Sequence, residues 1–449
     1  MACSAVTVTT RTSPRAHVSV RHLAIIAAGV LFAASVALYW DFIATNYSQL
    51  WQHTDEWVYR AAGILARQHP ADLYRTLMGE TGREQLPFTY PPFAALVFGA
   101  FSWLSFSVWQ VGLEVVGVIL LPVISFLALR ISGQRGWRAG ALALALSAVA
   151  LWMEPVYWTL FYGQVNLVLL ALVLADFALP DSCRWKGVAT GIAGAIKLTP
   201  LIFIPYLLAT RRVRAGIISL VSFAATVLLG FAVLPAASAH FWTSLSAQGA
   251  GGAQKMVDQS LNGVIQRAFH LNPPADTVWL LTAVVAGAAG VAVAACASRR
   301  GHELLGVVLC GVTGLLVSPI SWTHHWVWCV PALALVVTCR NRMLRAAGTA
   351  LLLAVFFGWP DHAMKAGGRG RWFPEGFLRR APHGQVGANA WLEYTWRGAT
   401  WLLGNSYVLA GLLALAGAAA YLWLTRGQRY EPAHDRGALA YHQYANAPR

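Results

Sequence analysis

"HLAIIAAGVLFAASVALYW", residues 22–40, carries no Asp, Glu, Lys or Arg. A helix of about 20 apolar residues matches the roughly 30 Å hydrocarbon core of a bilayer. Arg11, Arg15 and Arg21 precede the run, and no small-x-small cleavage site follows it. It therefore reads as a first transmembrane helix rather than a cleaved secretory signal. Further apolar segments lie near 88–106, 108–129, 139–153, 157–179, 187–208, 215–235, 277–297, 303–320, 326–339, 346–360 and 399–424. Together they predict an all-α polytopic membrane protein with about twelve spans.

Composition supports that class. Apolar residues make up 57% of the 449 and charged residues only 11%, against roughly 25% charged in soluble domains. The net charge of +15 comes from 33 Lys and Arg against 18 Asp and Glu. The basic residues fall in short clusters between apolar runs, a pattern that suits orientation in a bilayer and contact with anionic lipids rather than nucleic acid. The clusters at 211–214, 299–300, 340–345 and 426–429 are expected on the cytoplasmic side, with the N-terminal segment 1–22 and a polar, disordered tail 426–449. The segments 41–87, 236–275 and 361–397 are then external. Arg130, Arg135 and Arg138 fall outside by simple counting, which calls for a broken helix between 139 and 210, and "GAIKLTPLIFIP" (194–205) is a place for one. Cys3, Cys183, Cys296, Cys310, Cys329 and Cys339 show no CxxC spacing and read as core thiols.

The first external segment collects Asp41, Asp55, Glu56, Asp72, Glu80 and Glu84, a third of the acids in the chain. Within "HTDEWVYRAAGILARQHPADLY" (53–74), the apolar spacing from 55 to 66 predicts a short amphipathic helix on the membrane surface. Asp55 in its first turn is either a cap favoured by the helix dipole or a general base at the membrane–water boundary. Asp41, just after the first span, is a second candidate for the base.

Other polar groups interrupt apolar runs: Gln164 and Asn166 in "FYGQVNLVLL" (161–170), Lys197 in "AGAIKLTPL" (193–201), and Asn262 and Arg267 in "QSLNGVIQR" (259–267). An ionisable residue inside a membrane segment marks a functional site unless it snorkels to the interface. "LVSPISWTHHWVW" (316–328) places His324 and His325 at the external end of a span, among tryptophans. Adjacent histidines point in different directions on a helix, so a shared zinc is not expected. One imidazole on a phosphate or sugar hydroxyl, with tryptophan faces stacking on the sugar, is the functional reading. An interfacial aromatic belt is the bland one.

The motifs "TDEWVYRAAGIL" (54–65), "TYPPFAALVF" (89–98), "GQVNLVLLAL" (163–172), "GAIKLTPLIFIPYLL" (194–208), "QSLNG" (259–263) and "SPISWTHHW" (318–326) occur in this order. In this the chain resembles glycosyltransferase family 87 of the GT-C superfamily, over roughly residues 20–425. The likeness is with members that extend phosphatidylinositol mannosides. The resemblance implies a GT-C transmembrane catalytic domain over 23–425, with short external amphipathic helices and an active site on the external face of the plasma membrane. It implies an inverting α-1,2-mannosyl transfer, tetramannoside to pentamannoside. The donor would be polyprenyl phosphomannose and the acceptor a phosphatidylinositol mannoside lipid, with no metal and no other cofactor. The family's acidic residue falls on Asp55, and its serine-proline and histidine motif on Ser318, Pro319, His324 and His325. "TDEW" departs from the more usual aspartate-leucine pattern, which leaves Glu56 as a second carboxylate. Lys197, His324, His325 and Arg267 are the groups available to a departing lipid phosphate. Gln164, Asn166, Asn262, Tyr59 and Arg60 complete the substrate-binding candidates. The external arginine-rich segment (Lys365, Arg369, Arg371, Arg379, Arg380) would meet the acceptor's inositol phosphate or ordinary headgroups.

Two competing readings stand beside this one. A lipid or sugar transporter also has many spans, but often shows inverted repeats, and none is visible. An enzyme of the same kind with another sugar, such as arabinose, or another acceptor is not separated by any residue in the chain.

Overall fold

A computed structural model describes residues 14–50, 54–79, 85–244, 252–361, 373–387 and 390–426. α1 (Pro14–Leu50) carries the first span, and α2 (Thr54–Gln68) follows as the amphipathic helix predicted for 55–66. α2 has Asp55 and Glu56 in its first turn and Arg67 in its last, both favoured by its dipole. α3 (Pro92–Gly99) begins on Pro91 and Pro92, a stiff helix start that needs no N–H. α4 (Phe106–Ile131), capped by Ser105, pairs with α5 (Gly136–Ala150). α6 (Glu154–Phe161) and α7 (Asn166–Ala178) meet at a bend of 119°. α8 (Val188–Ile196) and α9 (Phe203–Ala209) are separated by a 3-10 turn at Thr199–Ile202, and α10 (Val213–Val233) follows.

α11 (Pro235–Thr243) and α12 (Leu261–Ala268) are short helices in the second segment expected outside. α13 (Ala275–Arg299) packs along α14 (Glu303–Val317), and α15 (Cys329–Val337), α16 (Arg342–Phe356), α17 (Gly398–Gly404) and α18 (Ser406–Leu424) complete the order. Three small antiparallel strand pairs decorate the first and third of those segments: Leu77–Met78 with Leu86–Pro87, Trp359–Asp361 with Phe373–Glu375, and Gln385–Gly387 with Ala390–Trp391. The all-helical expectation did not include them.

Among the described residues, five helices are long and apolar enough to cross a membrane, or six if the bent α6–α7 pair is one span. Several predicted spans are instead broken. The run 157–179 divides at Tyr162–Val165, where Gly163 has φ +65°, and 187–208 divides at Lys197–Thr199 before Pro200. The second break falls within "GAIKLTPLIFIP", where one is expected, and hydropathy misses the first because the residues on either side stay apolar.

The long and short helices have different places. α10 and α13 turn Leu220, Val221, Leu228, Leu281 and Val285 outward, as lipid-facing surfaces do. α6 is buried at every position, and α14 at twelve of its fifteen. Broken backbone in a bilayer is tolerated only where protein or a water-filled cavity satisfies it, so the interrupted helices occupy the middle. At one end of α7, Asp176 accepts hydrogen bonds from Gly187 N and Thr190 Oγ1, and beyond it Arg212 forms a two-pronged pair with Glu303 at 2.6 and 2.8 Å. The helix breaks gather at the other end.

Residues 427–449 of the expected tail 426–449, residues 1–13 of the N-terminal segment, Glu80, Glu84, Lys365, Arg369 and Arg371 lie outside the described residues.

Candidate functional site

Three interrupted segments meet around Asn166, the first residue of α7. Its Nδ2 donates to the carbonyl of His324 at 3.0 Å, and Thr159 Oγ1 of α6 donates to the same carbonyl at 2.8 Å. Its Oδ1 accepts from Lys197 Nζ at 3.1 Å. Lys197 sits where α8 ends, and its Nζ also lies 2.9 Å from His325 Nε2. His325 belongs to a 3-10 turn, Thr323–His325, rather than to a span, because Ser318 and Pro319 end α14 and α15 begins only at Cys329. One carboxamide thus ties the α6–α7 bend, the α8 break and the histidine turn together.

The two ring nitrogens of His325 have different neighbours. Its Nδ1 accepts from the backbone N–H of Trp322 at 3.2 Å. Nε2 is the nitrogen that meets Lys197, and at 2.9 Å the two nitrogens share one hydrogen. His324 faces elsewhere: its ring is nearly perpendicular to that of His325 and packs edge-on against Tyr162 and Trp322.

A second set of hydroxyls adjoins the lysine. Tyr59 of α2 and Tyr90 lie 2.7 Å apart at their oxygens, and both donate to Gln164 Oε1, at 2.8 and 3.1 Å. The Lys197 ammonium position lies 5.6 Å from the centre of the Tyr90 ring. Asp55, half-buried at the start of α2, is within electrostatic reach of Tyr59, Tyr90 and Lys197. The next residue, Glu56, is fully buried. α2 lies outside the spanning segments, and there burial, reinforced by the charges of Glu114 and Asp55, pushes the Glu56 carboxyl up to about 9. The two neighbouring acids are thereby separated: Glu56 is protonated at neutral pH and Asp55 faces the polar cluster. Asp41 is exposed on α1.

From Lys197, His325 and Asn166 a narrow, half-open cleft runs along an apolar wall that includes Leu170, Val173, Phe203, Leu315 and Trp328. Its polar mouth and greasy length suit an amphiphile with an anionic head. Among the described residues, no three His, Cys, Asp or Glu side chains converge as a metal site would require.

The structure brings together Asp55, Tyr59, Gln164, Asn166, Lys197, His324 and His325. It places Arg60, Asn262 and Arg267 apart. Arg60 Nε donates to the carbonyl of Leu104, and Asn262 Nδ2 to that of Pro319. Arg267, 4% exposed, gives Nη1 to the carbonyls of Ala253, Lys255 and Asp258 and Nη2 to Asn405 Oδ1. Asp258 in turn accepts from Ser321 N at 3.0 Å, and burial pushes its carboxyl up to about 6 against the pull of Ser321 and Arg267. Arg267 thus supports the histidine turn from behind. Arg267→Ala would leave several buried carbonyls and a buried acid without their partner, at a cost of about 3–5 kcal/mol. The expected result is a large fall in melting temperature in detergent, with the donor KM of surviving protein unchanged.

Arg379 also has a structural task. Its Nε donates to Glu154 Oε1 at 3.0 Å and its guanidinium lies over Trp158, while Tyr407 holds the other Glu154 oxygen. Arg380 lies over the Phe377 ring. Tyr90 and Thr159 are the members of this cluster that the sequence does not mark. A tyrosine before Pro-Pro and a threonine between aromatics look like ordinary interface and core.

A broken-helix membrane bundle with a carboxylate, a lysine and an imidazole beside an apolar cleft has the make-up of an enzyme acting on lipid-linked substrates. Residues 88–319 match the model of glycosyltransferase family 87, and the chain belongs to that family. The chain is 32% identical over 365 residues, 76% of its length and 80% of the relative's, to a polyprenol-phosphate-mannose-dependent alpha-(1-2)-phosphatidylinositol mannoside mannosyltransferase of Mycobacterium tuberculosis. It is 30% identical over 425 residues, 90% of its length and 88% of the relative's, to a polyprenol-phosphate-mannose-dependent alpha-(1-2)-phosphatidylinositol pentamannoside mannosyltransferase of the same species. A protein with this second description from Mycolicibacterium smegmatis is 34% identical over 66% of the chain and 71% of its own length. No solved structure matches.

Proposed function

We propose that the protein transfers mannose from polyprenyl phosphomannose to a phosphatidylinositol mannoside, forming an α-1,2 linkage with inversion and extending the tetramannoside to the pentamannoside. The observation that carries this reading is the Asp55, Lys197 and His325 cluster at the polar mouth of the apolar cleft. The cleft takes the first part of the polyprenyl chain and sets its phosphate against Lys197 and His325. Asp55 removes the proton from the attacking hydroxyl as that oxygen bonds to the anomeric carbon. The bond to the phosphate oxygen breaks on the opposite face, and Lys197 and His325 stabilise the charge that develops there. Tyr59, Tyr90 and Gln164 form the polar wall between base and phosphate site, and His324 with Trp322 offers a sugar-stacking edge. No step requires a metal.

The helix ends carrying the cluster open outward, on the periplasmic side of the plasma membrane, and the short helices complete about twelve crossings of a GT-C-type bundle. Arginines near 211–214, 299–300 and 340–345, at the far ends of their helices, support that orientation.

The test is transfer by the purified full chain in detergent with EDTA present. Product from polyprenyl phosphomannose and the tetramannosylated lipid supports the reading. Product only with an arabinosyl donor changes the sugar, loss with EDTA adds a metal, and lipid movement without transfer makes the protein a transporter.

A further inference from the structure

Glu56 has no task in the reaction just described, yet its placement is specific. A Cβ built on Gly163 would lie 1.9 Å from Glu56 Cγ and 2.1 Å from Oε1, so only glycine fits against this acid. Gly163 is also the residue of positive φ that turns the α6–α7 bend. The residues that follow it are Gln164, which receives Tyr59 and Tyr90, and, two further on, Asn166, which holds Lys197 and the histidine turn. From the other elements, Glu114 of α4 and Tyr39 of α1, both buried, couple electrostatically to Glu56, and Asp55 does so from its own helix.

We propose that Glu56 is a positioning residue: its side chain, seated on Gly163, sets the register of α2 on the bend and so the separation between Asp55 and the Lys197–His325 pair. α2 is a fifteen-residue surface helix, and a helix that short needs tertiary contacts to hold its place. A one-residue slide along its axis moves the Asp55 carboxylate by about 1.5 Å. Misplacement of about 1 Å can cost about 10²-fold in rate. The form that fits the seat is the neutral acid. Burial holds Glu56 protonated to about pH 9. Above that pH an anion forms beside Asp55 and Glu114, which repel it, and the seat loosens. The sign follows: activity controlled by this contact is complete below the shifted value and is lost as pH rises through it.

The proposal rests on Asp55 being the base, and the test separates the two. The kcat for transfer by the full chain is measured at saturating donor from about pH 6 to about pH 10, so that protonation linked to donor binding falls on KM and not on kcat. Wild type is expected to lose kcat by about fivefold or more on the alkaline side. Glu56→Gln keeps the shape and cannot ionise. It is expected to match wild type within about twofold at neutral pH and to lack the alkaline fall. Glu56→Asp withdraws the carboxyl by one methylene and is expected to lower kcat about tenfold with the donor KM unchanged. An alkaline fall that persists in Glu56→Gln, or a wild-type kcat in Glu56→Asp, overturns the proposal. An active Asp55→Asn protein removes the reading of Asp55 instead. An inactive Asp55→Asn protein with an unchanged alkaline limb in Glu56→Gln removes only the role of Glu56.

Discussion

Asp55→Asn is expected to lower kcat by about 10³-fold, within the 10²–10⁴ range for loss of a positioned general base. The variant keeps the size and polarity of the side chain, and Asp55 is only half-buried in the first turn of α2. Its melting temperature should therefore stay near that of wild type, with a small loss from the helix dipole. The carboxamide accepts hydrogen bonds but does not take a proton at neutral pH. Donor binding, which depends on Lys197, His325 and the apolar cleft, should persist. The measurement is transfer of labelled mannose alongside retention of the donor lipid. Wild-type transfer by the folded variant would move the base to another carboxylate. Glu56 is then a weak substitute, because its buried carboxyl is protonated at neutral pH. Asp41, exposed on α1, would be the one to test.

The parts of this molecule that were readable in advance are those governed by local pattern. The first span, the runs that became α4, α10 and α13, and the amphipathic helix α2 follow from apolar length and spacing. The site was partly readable for a different reason. A lysine or a carboxamide inside an apolar run is costly, and Lys197, Gln164 and Asn166 did meet in space. The same reasoning overshot at Arg267. Its partners Ala253, Lys255, Asp258 and Asn405 come from a loop and from a position 138 residues away. Nothing local distinguishes a guanidinium that binds substrate from one that gathers carbonyls. The break before Pro200 is legible in "GAIKLTPLIFIP", whereas the bend at Gly163 is not. Gly163, Pro200 and Pro319 are visible as residues, but whether an apolar run bends or continues depends on whether neighbours satisfy the freed backbone. Here Thr159 and Asn166 do so for the His324 carbonyl. Tyr90 escaped notice because its role depends on Tyr59 and Gln164, 31 and 74 residues distant.

Lys197→Met should lower kcat by about 10²–10³-fold, the usual cost of removing a preorganised group that faces developing charge. Methionine keeps most of the volume and suits an apolar wall, so loss of activity would not be loss of fold. The effect should exceed that of His325→Gln, because the imidazole contributes one N–H to the phosphate while the lysine contributes a charge. The hydrogen-bond pattern adds a sharper expectation. At 2.9 Å, Lys197 Nζ and His325 Nε2 share one hydrogen, so one of the two nitrogens accepts. A phosphate arriving between them takes a donated hydrogen from each, and the nitrogen that had been accepting takes up a proton. Donor binding should therefore be accompanied by uptake of about one proton at neutral pH, since a group whose protonation differs between two states links the equilibrium between them to pH. Calorimetry of donor lipid binding in buffers of different ionisation enthalpy reads this directly. Heats that do not depend on the buffer would mean that the pair already carries the proton before the donor arrives. In Lys197→Met the dependence should weaken along with the rate, because only His325 is left to take up a proton.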